Sequence, residues 1–284
     1  MKLPYFDIHT HLQFSAFDED RDKVIKRARE RNVWIVNVGT QAETSDKAVQ
    51  LAHEQGDGFF ATVGLHPIHT GKSFHDAAEL GGGKTAKGFT SKGEIFDFKR
   101  YRKMAVDDKV VGIGECGLDY YHLNSASQKI QSEVFVQHIK LAQEVQKPLM
   151  IHCRDAFEDL IDILEEHHND LQKPPGIIHF FSGSKSDADR LLELGFYFTF
   201  GGVITFASNY NSVIENLPVD RLLSETDAPY VSPVPKRKER NEPSFVVHVV
   251  ARLAEIKSLT EEVMKEIIFN NAVNLFKIDR KTLA

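Results

Sequence analysis

Two histidines stand two residues apart near the start of the chain, in the run FDIHTHL at residues 6–12. A β-strand sends residues i and i+2 to the same face, so His9 and His11 would project together if this run is a strand. Such a pair can bind one metal ion. An isolated His-x-His is equally compatible with imidazoles that are merely tolerated near a strand end, so partners elsewhere in the chain must decide between the two interpretations.

Candidate partners stand at or near the ends of later apolar runs: Glu115 in VVGIGE, His152 in LMIH, His179 in GIIHF and Asp227 after LLSET. Any one of them alone has an ordinary explanation, as a hydrogen-bonded core histidine or a member of an ion pair. In a (β/α)8 barrel, however, catalytic side chains lie at the carboxyl ends of the strands. All six side chains would then converge at that end of the barrel, the barrel mouth.

Four imidazoles and two carboxylates exceed the needs of a single tetrahedral site, because catalytic zinc usually takes three protein ligands. The sequence therefore predicts two divalent ions per chain, with Zn²⁺ or Mn²⁺ favoured by the histidines and Mg²⁺ admitted by the carboxylates. Two ions that share a carboxylate can activate a water molecule and stabilise both the attacking and the leaving oxygen of a displacement reaction. The ligand set therefore predicts a hydrolase. One ion would be held by His9, His11 and Asp227, the other by His152 and His179, and both by Glu115.

Short apolar runs that alternate with amphipathic stretches must position these residues. Helical periodicity is clear at 127–146 and 156–168. Eight such units predict an α/β fold, a distorted (β/α)8 barrel of the TIM type that forms a single domain over residues 1–284 with a C-terminal helix. A doubly wound open sheet with an added helical tail is the alternative. The predicted strands are 5–9, 33–39, 58–65, 110–115, 149–152, 176–180, 196–200 and 221–226.

Composition limits the binding partners and the cellular compartment that can be expected for this protein. The 284 residues carry a net charge of −6, so binding to a polyanion would require local basic patches. Two cysteines, Cys116 and Cys153, argue against a disulfide scaffold and fit a reducing compartment. The chain has no long apolar segment, and we predict a cytoplasmic protein with no membrane association and no obligate protein partner.

Two segments break the alternation. Residues 72–103 include LGGGKTAKGFTSKGE and are predicted to form a long, basic, Gly-rich loop, with seven Lys or Arg from Lys84 to Lys103 against Glu94 and Asp97. The second segment, SPVPKRKERNEPSF at 232–245, places four cations within 236–240. Both segments could contact a phosphate backbone, although charge runs of this kind are usually just solvated.

Seven ordered motifs resemble the TatD family of metal-dependent hydrolases over nearly the whole chain. They are FDIHTHL, VGLHP, GECGLDYY, IHCRDA, HFFSG, SETDAPY and RNEP. The resemblance implies a divalent-metal-dependent deoxyribonuclease on an amidohydrolase-like barrel, with DNA as the substrate, Glu115 as the bridging carboxylate and the other ligands as above. The sequence departs from the family in the long 72–103 segment and at Lys236, Lys238 and Glu239, which concerns substrate detail rather than chemistry.

Further motif residues receive predicted roles. His66 could donate a hydrogen bond to a substrate phosphate, or only cap the loop before Pro67. Arg154 could bind a phosphate through its fork of donors, or pair with Asp155. Glu225 lies two residues before Asp227, so both side chains would point to the same face of an extended strand. Glu225 could accept a hydrogen bond from a ligand histidine, or pair with an arginine. Substrate contacts are also predicted for Arg237 and Arg240.

Three functions remain open on the sequence. In the preferred one, water activated by the metals attacks phosphorus while Asp227 orients that water and carries its proton, with Glu115 as the second catalytic carboxylate. The second is hydrolysis of a C–N or ester bond, such as a cyclic amide or an acyl ester, at the same metals. The third is a non-catalytic nucleic-acid-binding or metal-binding protein, which the many open ligands disfavour.

Overall fold

Eight parallel strands form one sheet that is nearly closed into a barrel. The computed structural model of the chain describes residues 3–75, 89–121 and 125–279. The strands are β1 Tyr5–Thr10, β2 Val33–Val38, β3 Phe59–Val63, β4 Lys72–His75, β5 Phe89–Lys92, β6 Val110–Asp119, β7 Leu149–Arg154, β8 Gly176–Ile178, β9 Tyr197–Phe200 and β10 Leu222–Ser224. The strand order in the sheet is β1-β2-β3-β6-β7-β8-β9-β10, while β4 and β5 form a separate antiparallel pair.

Helices follow most strands and cover the sheet, which confirms the predicted (β/α)8 fold. Local capping interactions stabilise the helix starts. At the helix that begins at Lys185, Ser184 accepts a hydrogen bond from the Asp187 amide, and Asp187 accepts one from the Ser184 amide. None of the described helices has the length and apolar character of a transmembrane span. The helices are α1 Arg21–Glu30, α2 Ala42–Gln55, α3 Phe98–Ala105, α4 Ser125–Val145, α5 Phe157–Glu166, α6 Lys185–Glu193, α7 Asn211–Asn216, α8 Val246–Ile256 and α9 Glu261–Phe276.

Side chains and loop backbone join the first strand to the segment around the last one. Ser224 Oγ donates to the Phe6 carbonyl at 2.8 Å. The buried Asp7 carboxylate accepts from the Thr226 amide at 2.8 Å, and the Asp227 amide donates to the His9 carbonyl at 2.8 Å. The barrel closes at this seam, and the seam places His9 and Asp227 side by side.

The C-terminal helix anchors the aromatic core to β1. Phe6 lies 6.1 Å from Phe269 and 6.4 Å from Phe276 between ring centroids, and both partners belong to α9. All three side chains are buried. Because each buried aromatic ring removes a large apolar area from water, α9 stabilises the strand that carries His9.

The segment predicted as a loop at 72–103 contains regular structure. Residues 72–75 and 89–92 pair as antiparallel strands, and α3 begins at Phe98, after Asp97 caps it by accepting from the Arg100 amide at 3.1 Å. The Gly- and Lys-rich stretch at 76–88, including Lys84, lies outside the described residues. The predicted loop is therefore wrong for its described ends, where hairpin pairing and a helix cap take its place.

Candidate metal centre

Glu115 lies among histidines that approach its two carboxylate oxygens from different sides. Oε2 is 3.4 Å from His9 Nε2 and 3.9 Å from His11 Nε2. Oε1 is 2.9 Å from His179 Nε2 and 3.3 Å from His152 Nδ1. The Glu115 side chain is only 4% exposed, so one buried carboxylate separates two pairs of imidazoles.

Asp227 completes the group on the side of the first pair. Its Oδ1 atom is 3.4 Å from His11 Nε2 and 3.7 Å from His9 Nε2. The residue has a φ of 54°, in the left-handed region that Asp tolerates better than most residues. The structure thus brings together all six residues that the sequence singles out as metal ligands.

Hydrogen bonds behind the histidines fix which ring nitrogen is available. His11 Nδ1 is 2.8 Å from the Val38 carbonyl and can only donate to it, which leaves Nε2 unprotonated in the neutral ring. His152 is reversed, because its Nε2 lies 2.9 Å from Asp119 Oδ2 and its Nδ1 faces Glu115. These rings therefore present a lone pair to the centre, as metal ligands must.

Glu225 lies behind His179, as its strand parity predicts. Its Oε2 atom is 3.6 Å from His179 Nδ1 and accepts from Thr199 Oγ1 at 2.6 Å. Glu225 is fully buried. No arginine or lysine is an ion-pair partner of Glu225 in the described ranges, so its charge faces the site histidine.

His66 has the capping role predicted for it and also faces Glu115. Its Nδ1 accepts from the Ile68 amide at 3.2 Å and so caps the turn that begins at Pro67. In a neutral ring the proton then lies on Nε2, which is 3.1 Å from Glu115 Oε1. His66 is thus set up as a hydrogen-bond donor toward the centre rather than as a ligand.

Electrostatics favour an ionised Glu115 beside a protonated His179, whereas burial lowers the pKa of His9 and His66. Burial would raise the pKa of Glu115, but the electrostatic attraction of the surrounding histidines holds that pKa well below its ordinary value. Burial would lower the pKa of His179, but the charges of Glu115 and Glu225 raise it well above its ordinary value. The negative charge at this site is therefore balanced by protons, which a bound cation can replace.

The donor set suits divalent cations. Within the described residues, all ion-pair partners of Glu115 are histidines. His9 Nε2 and His11 Nε2 are 3.2 Å apart, and His9 Nδ1 and Glu225 Oε1 are buried without a hydrogen-bond partner. Converging nitrogen and carboxylate donors with unsatisfied polar atoms are typical of a site that holds a metal ion.

Asp119 is a residue of the centre that the sequence interpretation missed. Besides His152, its carboxylate accepts from the Tyr121 amide at 3.1 Å. Burial would raise its pKa, but His152 lowers it to about 2, so the group is ionised. The signal was present in the sequence, because residues 115, 117 and 119 share one strand face, but the predicted strand ends at Glu115 whereas β6 continues to Asp119.

Two of the predicted substrate-contacting arginines stack on exposed aromatic rings. Arg154 Cζ lies 3.4 Å from the Tyr121 ring centroid, and the described residues show no Arg154–Asp155 ion pair. Arg237 Cζ lies 3.9 Å from the Phe206 ring centroid, and Arg237 donates to the Ser232 carbonyl at 2.8 Å. The two arginines lie at the end of β7 and in the segment that follows β10.

Arg240 is instead held within the protein. It donates to both carboxylate oxygens of Asp20 at 2.8 Å and to the Ala16 carbonyl, and its Cζ lies 4.3 Å from the Phe17 ring centroid. Its side chain is only 18% exposed. Because these contacts occupy both terminal nitrogens of the guanidinium group, the interpretation of Arg240 as a substrate contact is replaced by a role in fixing the 232–245 segment.

The fold and this centre define a metal-dependent hydrolase built on a TIM barrel. A family model described as TatD related DNase matches residues 6–277, and the chain belongs to the TatD family. An uncharacterized metal-dependent hydrolase of Bacillus subtilis (strain 168), YabD, is 38% identical over 277 residues, which are 96% of this chain and 99% of that protein.

Other relatives agree with this assignment. A protein of Rahnella sp. named 3'-5' ssDNA/RNA exonuclease TatD is 32% identical over 97% of this chain and 99% of its own length. The crystal structure of YJJV, a TatD homologue from Escherichia coli K12, superposes with a TM-score of 0.81 at 28% identity, and the match covers 98% of this chain and 100% of that one.

Proposed function

We propose that this protein is a nuclease that hydrolyses the phosphodiester bonds of DNA, with two divalent ions held around Glu115. The observation that carries the proposal is the division of the Glu115 carboxylate, with Oε2 toward His9 and His11 and Oε1 toward His152 and His179. A carboxylate placed in this way can bridge two cations. The relatives named as exonucleases support a nucleic acid as the substrate.

Each part of the centre has a role in this proposal. One ion would be held by His9, His11 and Asp227, the other by His152 and His179, and Glu115 would contribute one oxygen to each. When bound, such ions supply a nucleophilic water near neutral pH and stabilise the charge that develops on the phosphate oxygens. Zn²⁺ and Mn²⁺ suit the imidazoles best, and Mg²⁺ remains compatible with the carboxylates.

The chain's own groups handle orientation and protons. Burial would raise the pKa of Asp227, but a hydrogen bond from His11 and the neighbouring histidine charges lower it, so the carboxylate is ionised and can accept a proton from the attacking water. With 17% of its side chain exposed, Asp227 is reachable by solvent, unlike the fully buried His9. His66 Nε2 can donate to a non-bridging phosphate oxygen.

Metal content and cleavage together test the proposal. Protein purified without chelator should contain close to two equivalents of metal by elemental analysis. His152→Ala should lose one equivalent, whereas the matched control His168→Ala, which changes an exposed histidine, should lose none. A wild-type protein that binds at most one ion after dialysis against excess metal would contradict the two-ion centre.

Substrate class is tested with a panel. With Mg²⁺, Mn²⁺ or Zn²⁺ present, the wild-type protein should shorten end-labelled DNA or RNA strands and leave cyclic amides and acyl esters intact. Release of product from a cyclic amide or an ester, with oligonucleotides untouched, would instead favour a hydrolase of C–N or ester bonds.

A further inference from the structure

We propose that Asn241, a buried residue outside the metal centre, is the positioning residue that holds Asp227 in the conformation in which its carboxylate meets His9 and His11. The inference rests on the proposed function, because that function makes Asp227 both a metal ligand and the acceptor of a proton from water. It gives a role to the RNEP motif, residues 240–243, which contributes no ligand of its own.

The backbone of Asp227 needs support from outside the residue. Its φ is 54°, in the left-handed region, where a residue other than glycine persists only if the surrounding structure fixes it. The direction of its Cβ atom follows from φ and ψ. A change to ordinary extended or helical backbone would therefore turn the carboxylate away from His11 Nε2, which lies 3.4 Å from Asp227 Oδ1.

The side-chain amide of Asn241 supplies this support on both sides of Asp227. Its Nδ2 atom donates to the Thr226 carbonyl at 2.8 Å and to the Tyr230 carbonyl at 2.6 Å. Between these two carbonyls, the Tyr230 amide donates to the Asp227 carbonyl at 2.9 Å and closes a turn. Asn241 thus joins the residue before Asp227 to the end of the turn that Asp227 begins.

Asn241 is itself fixed, so it can serve as a rigid support. It is fully buried, and its Oδ1 atom accepts from the Glu242 amide at 3.0 Å. The neighbours on both sides are bound to α1 or to the residue before it: Arg240 donates to both oxygens of Asp20 at 2.8 Å, and Arg27 Nε donates to Glu242 at 2.9 and 3.0 Å. Helix α1 therefore anchors the segment from which Asn241 reaches the Asp227 loop.

Strand β1 holds the middle of the same loop. The Asp227 amide donates to the His9 carbonyl at 2.8 Å, and the Ala228 carbonyl accepts from the His11 amide at 2.9 Å. These bonds leave the Thr226 carbonyl to Asn241. Loss of the Asn241 amide would deprive a buried carbonyl of this donor, which is costly enough to rearrange the backbone beside Asp227.

Asn271 provides a matched control at the opposite end of β10. Its Nδ2 atom donates to the Val219 carbonyl at 2.9 Å and to the Leu222 carbonyl at 2.8 Å, and the residue is buried. Asn271→Ala thus removes a similar pair of hydrogen bonds from before β10 rather than after it. If Asn241 only stabilised the fold, the two alanine variants should behave alike toward metal.

Titration calorimetry with Mn²⁺ on metal-free protein tests the inference. Asn241→Ala should weaken Mn²⁺ binding by roughly ten- to a hundredfold, the usual effect of removing a group that orients a ligand. Asn271→Ala should bind Mn²⁺ as the wild type does, although both variants should lose a similar amount of thermal stability. A loss of affinity in Asn241→Ala no larger than that in Asn271→Ala would overturn the inference. If Asn241→Ala does not fold by circular dichroism, the serine variants at both positions are compared in the same way.

A double-mutant cycle identifies Asp227 as the residue through which Asn241 acts. In an Asp227→Asn background, Asn241→Ala should weaken Mn²⁺ binding by less than about threefold further, because two groups that act as one unit are not additive. A loss as large as in the wild-type background would show that Asn241 acts through another residue and would overturn the inference. Since no nucleic acid is used, a protein that gives the expected Mn²⁺ results but cleaves no oligonucleotide would overturn only the nuclease proposal.

Discussion

At the scale of single residues, the chemistry of the centre depends on one carboxylate with two oxygens in different surroundings. Replacing Glu115 by Gln keeps the shape but removes the charge and turns one oxygen into an amide donor that faces imidazoles. Such a group cannot bridge two cations. The same reasoning applies to Asp227, where an amide cannot accept a proton from water.

We therefore expect Glu115→Gln and Asp227→Asn each to reduce phosphodiester cleavage by at least about a hundredfold. Cleavage of a labelled oligonucleotide, with circular dichroism to confirm the fold, measures the effect. Exposed Asp159→Asn is the matched carboxylate-to-amide control. Activity within a few-fold of wild type in the Glu115 or Asp227 variant would place the active site elsewhere.

Asp119 acts on the centre through His152 and is not itself a predicted metal ligand. Its substitution should therefore lower metal affinity without removing a ligand. Its carboxylate orients the ring and holds the proton on Nε2, while Gln131 holds the Asp119 backbone by two hydrogen bonds at 2.8 and 3.0 Å. Asp119→Asn should weaken metal binding by roughly ten- to a hundredfold, as is usual when the group behind a ligand histidine is removed. Titration calorimetry on metal-free protein measures this directly.

Two comparisons make the Asp119 prediction specific. Asp159→Asn changes an exposed carboxylate that accepts a hydrogen bond from the Tyr120 hydroxyl, and it should leave metal affinity unchanged. The melting temperatures of the metal-free Asp119 and Asp159 variants should agree closely. Wild-type metal affinity in Asp119→Asn would show that His152 needs no carboxylate behind it.

At the scale of elements, the 232–245 segment divides into cations that are held and cations that face solvent. Arg240 is paired with Asp20, and Lys236 is paired with Glu239 at 3.0 Å, whereas Lys238 is exposed. Contacts with a phosphate backbone should therefore come from Arg237 and Lys238, with a smaller share from Lys236.

Changing Lys236, Arg237 and Lys238 to Ser should weaken nucleic-acid binding and leave metal content intact. For every phosphate interaction that the substitutions remove, the slope of log K against log salt should decrease by about 0.7 for single strands. A salt series with the Asp227→Asn protein gives the slope. An identical affinity and slope in the triple variant would mean that this segment is only a solvated charge run.

The elements also show where sequence interpretation succeeds and fails. Eight strands and the convergence of six ligands follow from alternating apolar runs and from side-chain parity, which are local patterns. Asp119 was missed because the predicted strand ends at Glu115, so the parity that residue 119 shares with residue 115 was not used. Arg240 was misassigned because its partner, Asp20, lies 220 residues away in sequence, and no local pattern reveals such a pair.

At the scale of the whole molecule, a buried histidine links stability to pH. His138 of α4 accepts from the Leu65 amide at 3.0 Å and its Nδ1 donates to the Val134 carbonyl at 2.8 Å. Burial lowers its pKa to about 4. Since the unfolded chain takes up this proton near pH 6.5, the stabilising contribution is complete above about pH 6.5 and is lost as the pH falls toward 4.

We expect the free energy of unfolding to fall between pH 6.5 and 4 more steeply in the wild type than in His138→Gln, which has no group that titrates at this position. Urea unfolding at a series of pH values, with metal removed from both proteins, measures the two slopes. Parallel slopes would show that other groups account for the acid sensitivity.

The seam between β1 and the segment after β10 determines when the metal centre can form during synthesis of the chain. The hydrogen bonds that close it join Asp7 to Thr226, which are 219 residues apart. His9 and His11 leave the ribosome early, but they gain Asp227 only when the last strand docks. Such distant contacts form late, so a nascent chain that has not yet reached Asp227 carries only part of the metal centre.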